Sequence, residues 1–368
     1  MKNKNRILIF IKNMKDPSAY YRIGQYLNEL EWDGRIKYIP YAPDWIYKFY
    51  YDNHKGNLLL KKVLLALIGI IRVTYYIIWD MLLNHSDSIV VNRQIFPRVI
   101  PFYGKWLLKL YLKRKKAYWD FDDNIIYDHE ITEKEVNILE LYSNKIIVTN
   151  DYLKATIQDI YHTKVTILPT TDAVFSNIDL EKVNEKRMQC YKNHVNIVWV
   201  GTKSNLTYLS HIIPLIDEAA KEIARLSEKK LGLKIICNES LEYETTTFKI
   251  ENIEWTRTIA EEELLSAHIG IMPLLNTEFT KGKGGFKGVQ YISAGIPSIL
   301  SNVGYNSQVI EDRVSGYLII DDKDWINRLV QLSLEEDTWK QMSLAARERW
   351  EQRFHSDENK DFWHKVLM

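Results

Sequence analysis

The sequence predicts an α/β protein of two domains, each built around a parallel β-sheet. Short apolar runs rich in isoleucine and valine alternate with longer helical stretches along the chain, which is the pattern of parallel strands joined by crossover helices. The alternation stops at a polar, charged stretch over residues 176–193 and then restarts. A chain of 368 residues is also long enough for two domains. The predicted domains are therefore residues 1–172 and 195–349, joined by a linker.

In the first domain, the apolar runs are separated by helical stretches near residues 20–30, 58–83 and 99–112. Runs of this length and composition are typical of strands that are buried in a parallel sheet. The predicted strands are residues 6–11, 36–39, 88–91, 117–121, 145–149 and 165–168.

The second domain repeats this alternation of strands and helices. Since ligands of parallel α/β sheets bind at the carboxyl ends of the strands, the expected site is a cleft between the two halves. The helical, aromatic-bearing tail at residues 350–368 is expected to pack back on the first domain. The predicted strands are residues 195–200, 233–237, 253–255, 269–273, 298–301 and 317–320.

Composition excludes several classes of protein. With 49 basic and 48 acidic side chains the net charge is +1, whereas a general nucleic-acid binder carries a basic excess. The chain has two cysteines, Cys190 and Cys237, which are too few for a disulfide framework or a cysteine zinc site. We therefore expect a cytoplasmic protein without nucleic acid as a partner.

Residues 63–79 form the longest apolar run, VLLALIGIIRVTYYIIW. A helix that spans a bilayer needs about 20 mostly apolar residues, and here Arg72 lies in the middle and Gly69 weakens the run. The sequence favours a largely buried helix, with an edge on a membrane surface as the alternative.

A basic stripe follows at Lys105, Lys109 and Lys113, and continues over residues 114–116. Four-residue spacing places these lysines on one face of a helix. Such a face is usually just solvated, and the functional alternative is contact with anionic lipid. The second interpretation predicts peripheral association with the inner face of the cell membrane.

The most informative stretch is residues 281–297, KGKGGFKGVQYISAGIP. A strand ends before it, three glycines lie among its lysines, and a short helix follows. Glycines let the backbone approach a ligand closely, and the amides at a helix start favour phosphate. We predict that Lys283 and Lys287 bind phosphate here, whereas a solvated lysine loop is the simpler alternative.

The motif WDFDDN places Asp120, Asp122 and Asp123 at the end of a predicted strand. Carboxylates in this pattern can hold a divalent ion that bridges two phosphates. They can also orient acceptor hydroxyls, and Asp123 with Asn124 can simply cap a helix. A three-letter pattern favours no metal site on its own.

Several stretches together resemble one known family. They are WTRTIAEEELLSAHIGIMPL, GGFKGVQYISAGIPSILSNVGYNSQVI and the later residues 316–318, preceded by WVGTKSNLTYL at the start of the second domain. In the first domain WDFDD, IIVTNDYL and DPSAYYRI match more loosely. The sequence resembles retaining glycosyltransferases of the GT-B fold, sequence family 4, and this implies two Rossmann-like domains facing a cleft.

The sequence departs from that family at two places. The family usually places two glutamates eight residues apart around the glycine-rich loop, and Gly282 and Gln290 occupy those positions here. Gln290 still offers hydrogen bonds to a ribose, but the glutamate that lies near the transferred sugar is missing. Of the family's usual arginine and lysine after the first strand, only Lys203 is nearby.

The resemblance implies a metal-independent, retaining hexosyltransferase without a cofactor, which uses a UDP- or GDP-linked sugar as donor. The acceptor would be a glycan or a lipid-linked sugar in cell-surface polysaccharide synthesis. Lys203, Lys283 and Lys287 would then neutralise the phosphates, and Gln290 would hold the ribose. The other implied donor-binding residues are Gly201, Trp255, Thr256, Arg257, Gly284, Gly285 and Phe286. Arg22, Asp122 and Asp123 would face the acceptor or the transferred sugar.

Two other functions fit the same sequence. A sugar-nucleotide epimerase can use the same double fold, and it would release an altered sugar nucleotide without an acceptor. A non-catalytic partner that binds nucleotide sugar or glycan would also tolerate the missing glutamate.

Overall fold

The computed structural model describes three stretches of the chain: residues 5–27, 35–52 and 57–367. The chain divides into two compact units, which are Met1–Thr170 with Asp357–Met368, and Thr171–Ser356. Among the residues described, each unit contains one six-stranded parallel sheet with helices around it. The predicted fold class, α/β with two parallel-sheet units, is confirmed.

The sheet of the first unit has the strand order β2-β1-β3-β4-β5-β6. Every residue of β1 and β3 is buried, as expected for central strands of a parallel sheet that is covered on both faces. The strands are β1 (Ile7–Ile11), β2 (Ile36–Pro40), β3 (Ser88–Asn92), β4 (Lys116–Phe121), β5 (Lys145–Val148) and β6 (Val165–Ile167).

The helices of this unit begin with α1 (Pro17–Ala19), which continues as a π-helical turn over Tyr20–Gly24. The helix predicted over residues 99–112 begins later, because Pro101 disfavours helical backbone at the residue before it. The remaining helices are α2 (Asp44–Asp52), α3 (Leu58–Leu83), α4 (Gly104–Leu112), α5 (Glu133–Tyr142) and α6 (Asp151–Lys154).

Helix α3 is not largely buried, which corrects the sequence-based prediction. One face packs on the core of the first unit through Val73 and Ile77. However, only 22% of the most apolar 18-residue stretch of this helix is buried. Within the described residues, Leu59–Leu83 is one helix that is long and apolar enough to cross a membrane by length and composition.

The sheet of the second unit has the strand order β12-β11-β10-β7-β8-β9. The edge strand β9 has no fully buried residue, so hydrophobicity revealed only its last residues in the sequence. The strands are β7 (His194–Val200), β8 (Lys230–Cys237), β9 (Lys249–Glu254), β10 (Ile269–Met272), β11 (Ser298–Ser301) and β12 (Gly316–Ile319).

The polar stretch predicted as a linker is mostly a helix of the second unit, α7 (Leu180–Tyr191). Its Arg187 is buried and donates to the carbonyls of Leu264 and Gly295. The stretch looked like a linker because so few of its residues are apolar. The later helices are α8 (Leu206–Leu226), α9 (Arg257–Ser266), α10 (Glu278–Lys281), α11 (Phe286–Ser293), α12 (Asn306–Val309), α13 (Asp322–Leu334) and α14 (Glu336–Arg353).

The last helix, α15 (Ser356–Leu367), lies almost wholly in the first unit. Trp363 is fully buried, and its indole N–H donates to the carbonyl of Arg22 at 2.8 Å. Tyr118 donates its hydroxyl to the carbonyl of Val366 at 2.6 Å. The first unit is therefore built from two stretches that are far apart in the sequence.

Candidate functional site

The strand order of the second unit reverses between β7 and β10. The chain runs outward through β8 and β9, then returns to the other side of β7 and runs through β11 to β12. In open parallel sheets, ligands bind outside the carboxyl ends of the two strands at such a point. Gly201 follows β7, and the glycine- and lysine-rich loop follows β10, so both motifs predicted to bind the donor lie at this edge.

Gly201 and Lys287 meet at the ring of Trp199. A Cβ atom on Gly201 would lie 2.3 Å from that ring, so no other residue fits without displacing the tryptophan. The Lys287 ammonium lies 5.9 Å from the ring centroid. Nothing in the sequence distinguishes Trp199, because a buried tryptophan in a strand looks like any other core residue.

Lys203 connects the loops that follow β7 and β8. Its backbone N–H donates to the Asn238 side-chain oxygen at 3.1 Å, and its ammonium lies 3.1 Å from the Glu239 carboxylate. The Lys203 side chain is 67% exposed. Its charge therefore lies at the expected edge of the sheet but is shared with Glu239.

Helix α11 starts in a way that suits an anion. Gly285 is the N-cap, with a left-handed φ of 66° that favours glycine, and no side chain caps the helix. A Cβ there would also lie 2.7 Å from Val309. Gly284 precedes it, and Phe286 and Lys287 form the first turn, where backbone amides and the helix dipole favour negative charge.

The three lysines around this loop differ in their surroundings. Lys281 forms an ion pair with Glu278 at 2.5 Å on α10. The Lys283 ammonium lies 4.8 Å from the ring centroid of Phe279. Gly282, at the position of the missing glutamate, is buried and ends α10.

Gln290 is held by a buried carboxylate that no sequence motif indicates. Its side-chain amide donates to Asp172 at 2.8 Å. Burial raises the pKa of Asp172, while the hydrogen bond from Gln290 and the charge of Arg257 act in the opposite direction. The predicted donor residues Gln290 and Arg257 are therefore both close to Asp172, which lies at the predicted end of the first domain.

The residues predicted to border the base lie just before α9. Thr256 is the N-cap of α9 and its hydroxyl accepts from the amide of Ile259 at 3.2 Å. Trp255 is half-buried and packs on the core of the second unit. Thr256 therefore has a structural role that would hold Arg257 at the helix start.

A second polar cluster lies at the carboxyl edge of the sheet in the first unit, where β1 and β3 mark the reversal of strand order. Arg93 follows β3 with a left-handed φ of 69°, a strained geometry that is common at functional sites. Its guanidinium binds Asp122 at 3.2 Å, Glu130 at 3.1 Å and also Asp123.

These contacts bear on the predicted roles of Asp122 and Asp123. Both carboxylates are engaged by Arg93, and Asp122 also accepts from the Ser18 hydroxyl at 2.8 Å. In the described parts of the chain, no group of three or more His, Cys, Asp or Glu side chains is arranged to hold a metal ion. The sequence could have revealed Arg93, since polar residues follow the strand there.

Arg22 is placed differently from the sequence-based expectation. It is fully buried, and its guanidinium binds the Asp120 carboxylate at 2.5 Å. The Asn92 side-chain amide donates to the same carboxylate at 3.0 Å. Arg22 therefore cannot contact an acceptor directly in this structure. Its ion pair with Asp120 lies inside the unit, at the carboxyl end of β4.

The same edge offers buried hydrogen-bond acceptors. One carboxylate oxygen of Asp16 and the side-chain oxygen of Asn92 have no hydrogen-bond partner among the described residues. Burial raises the pKa of Asp16, and the neighbouring Arg93 and Lys12 oppose this. Both oxygens are buried, so, like Arg22, they do not contact a ligand directly in this structure.

Comparison with known proteins bears on the second unit and on the fold. Residues 194–335 match the family model described as Glycosyl transferases group 1. No curated protein matches the chain.

Solved structures match the chain over nearly its whole length. HepE from Anabaena in complex with UDP-glucose has a TM-score of 0.65 at 11% identity, over 98% of this chain and 99% of that one. A glycosyltransferase from Rickettsia africae has a TM-score of 0.64 at 12% identity, over 99% and 98%. A trehalose 6-phosphate synthase from Burkholderia multivorans has a TM-score of 0.62 at 8% identity, over 99% and 96%. At these identities the likeness shows the fold, which is GT-B.

Proposed function

We propose that this chain, with a GT-B fold and a second unit that matches the group 1 glycosyl transferases, is itself a glycosyltransferase. It moves a sugar from a nucleotide-sugar donor to a glycan or a lipid-linked acceptor. The observation that carries the proposal is the start of α11, where Gly285, Lys283 and Lys287 lie at the reversal point of the second sheet.

The donor diphosphate binds at this helix start. The α11 amides, the helix dipole and the ammonium groups of Lys283 and Lys287 all favour negative charge there. When the diphosphate leaves, these groups stabilise the charge that develops on it. A metal ion is then not required, and the proposed enzyme is metal-independent.

The ribose of the donor binds to Gln290. Because its amide N–H is donated to Asp172, the side-chain oxygen of Gln290 is oriented to accept from a ribose hydroxyl. HepE has been crystallised with UDP-glucose, and this supports a UDP-linked sugar as the first donor to test. Retention of the anomeric configuration remains a proposal based on the family resemblance.

The acceptor or the transferred sugar binds at the carboxyl edge of the first sheet. The partly exposed carboxylates of Asp122 and Asp123, held by Arg93, supply hydrogen-bond acceptors for sugar hydroxyls. A role in cell-surface polysaccharide synthesis follows only if such acceptors are used.

The test is a thermal-shift screen of the purified protein with UDP, GDP, ADP and their sugars, followed by donor turnover with and without a chelator. A ligand that binds only the folded state raises its melting temperature. We expect a shift with a nucleoside diphosphate, and transfer or slow donor hydrolysis that survives the chelator. Loss of turnover that manganese restores would contradict the metal-independent mechanism. Release of an altered sugar nucleotide without any acceptor would identify an epimerase instead.

A further inference from the structure

One face of α3 is apolar and exposed along the whole helix. Its large hydrophobic side chains have exposed fractions between 39% and 78%. They recur every three or four residues, so they form a single stripe along the helix. A contiguous exposed apolar surface along a whole helix is typical of an interaction site. We call these residues the α3 face: Leu60, Leu64, Leu67, Ile71, Tyr75, Ile78 and Leu82.

The apolar surface continues onto the segment before α4. The Thr74 hydroxyl on α3 is hydrogen-bonded to the Tyr103 hydroxyl at 2.9 Å, and the Tyr103 ring contacts Phe102 edge-on at 5.2 Å. Phe102 is 97% exposed, and Trp106 on the first turn of α4 is 66% exposed. Two aromatic rings thus extend the exposed surface beside the middle of α3.

The exposed charges that α3 and α4 carry have one sign. Lys62 on α3 and Lys105 and Lys109 on α4 are all exposed. Among residues 57–83 and 97–116 the only acidic residue is Asp80. It is fully buried and pairs with Lys115 at 3.0 Å. The exposed charges of both helices are therefore positive.

We infer that the α3 face binds to an anionic phospholipid bilayer, with the helix lying in the plane of the headgroups. Its 26 residues extend for about 39 Å, which allows every residue of the stripe to reach the boundary with the acyl chains. Lys105 and Lys109 then lie near lipid phosphates, where cations are attracted. A second copy is a poorer occupant, because a two-fold contact would bring the same cations together.

The helix lies on the bilayer and does not cross it. Its opposite face holds Val73 and Ile77 in the core of the first unit and pairs Asp80 with Lys115. Tyr41 also donates to the carbonyl of Ala66 on this helix at 3.1 Å. A spanning orientation would remove all of these contacts and expose a buried ion pair to hydrocarbon.

The inference can be tested by sedimentation with vesicles made of equal parts phosphatidylglycerol and phosphatidylcholine. We expect binding that high salt weakens, since screening reduces attraction to anionic headgroups. The double variant Leu67→Gln/Ile71→Gln should bind at least about tenfold more weakly, because two apolar side chains no longer enter the bilayer. In Lys105→Gln/Lys109→Gln, each lost cation should weaken binding by about fivefold.

The control variant is Ile160→Gln, which alters another hydrophobic residue of the first unit that is 73% exposed but lies just before β6, at the opposite edge of the sheet from β2. It should bind vesicles like the unaltered protein, and melting curves should show that all variants fold. Absence of vesicle binding, or equal binding by all variants, would overturn the inference. So would resistance to alkaline carbonate, which indicates a spanning helix, or a dimer that only Leu67→Gln/Ile71→Gln disrupts. Donor chemistry is not measured in any arm, so the proposed function is tested separately.

Discussion

At the scale of single residues, the two lysines at the start of α11 give a clear test of the donor site. Each charge-assisted hydrogen bond contributes on the order of 1.5–3 kcal/mol, so Lys283→Ala and Lys287→Ala should each weaken donor binding or turnover roughly 10- to 150-fold. If the interaction strengthens as the phosphate leaves, part of the loss appears in kcat. Both constants should be measured with a UDP-sugar.

Lys281 provides the matched control for these two variants. It is the last residue of α10, just before the loop, and its ammonium is paired with Glu278 on the same helix, so Lys281→Ala should change donor binding much less. Melting curves would confirm that all three variants fold. If Lys283→Ala and Lys287→Ala behave like the unaltered protein, the loop is a solvated surface and the donor binds elsewhere.

The pair formed by Gln290 and Asp172 makes a second residue-scale prediction. Gln290→Glu introduces the glutamate that the family usually has, but it places a second carboxylate against Asp172, whose oxygen lies 2.8 Å from Gln290. Two adjacent carboxylates cannot both ionise without a cost. We expect Gln290→Glu to lower both the melting temperature and UDP affinity.

The double variant Gln290→Glu/Asp172→Asn restores one donor and one acceptor with their positions exchanged. It should therefore recover most of the UDP affinity, as measured by calorimetry. Equal losses in the single and double variants would mean that the residue at position 290 acts without Asp172. This pairing was invisible in the sequence, because Asp172 lies 118 positions before Gln290 in a stretch without a recognisable motif.

At the scale of secondary-structure elements, His268 joins β7, α7 and the start of β10. Its ring accepts from the Asn196 amide at 2.9 Å through one nitrogen and lies 2.9 Å from the Arg187 carbonyl through the other. This geometry requires a neutral ring, and burial lowers the pKa of His268 to about 4. The lowered pKa makes stability depend on pH.

Stability should decrease as pH falls, because His268 binds a proton more readily in the unfolded chain than in the folded one. Between the ordinary histidine pKa and about pH 4, the unfolded chain binds a proton that the folded chain does not, so stability is full above that ordinary value and is lost as pH falls. This contribution should decrease by about 2 kcal/mol between pH 7 and pH 5. In His268→Gln, stability should decrease less over this pH range, and hydrogen exchange of the β7 amides would measure the difference. Equal pH dependence in both proteins would mean that His268 is protonated in the fold.

Elements were predictable from the sequence where burial and hydrophobicity coincide. The runs at residues 7–11 in β1 and 89–91 in β3 are continuous and apolar because both faces of these strands are covered. The edge strand β9 and the helix α7 are polar in sequence, and they form through backbone pairing and through buried side chains such as Arg187. The apolar run of α3 predicted a helix, but composition could not show that one of its faces is exposed.

At the scale of the whole molecule, the chain leaves its first unit at Thr170 and returns at Asp357. The glycine-rich loop and the strand-end carboxylates could be located from the sequence, because ligand sites in parallel sheets lie at strand ends. Trp199, in contrast, belongs to a strand that only the tertiary fold brings beside Lys287. The returning helix α15 reaches the same carboxyl edge through the Arg22 carbonyl.

This connection predicts separate effects on the two units. Trp363→Phe removes the hydrogen bond to the Arg22 carbonyl while retaining most of the packing, and an unsatisfied buried group costs about 1–3 kcal/mol. The first unit should lose stability. Turnover should also fall, because Arg22 pairs with Asp120, which shares the WDFDDN motif with the proposed acceptor-binding residues Asp122 and Asp123. UDP affinity should not change, because α11 and Gln290 belong to the second unit.

Trp350→Phe is the control, since the Trp350 indole N–H is buried without a hydrogen-bond partner among the described residues. Calorimetric UDP binding, turnover and hydrogen exchange of β4 would be measured for both variants. A loss of UDP affinity in Trp363→Phe that matches its loss of turnover would contradict this separation.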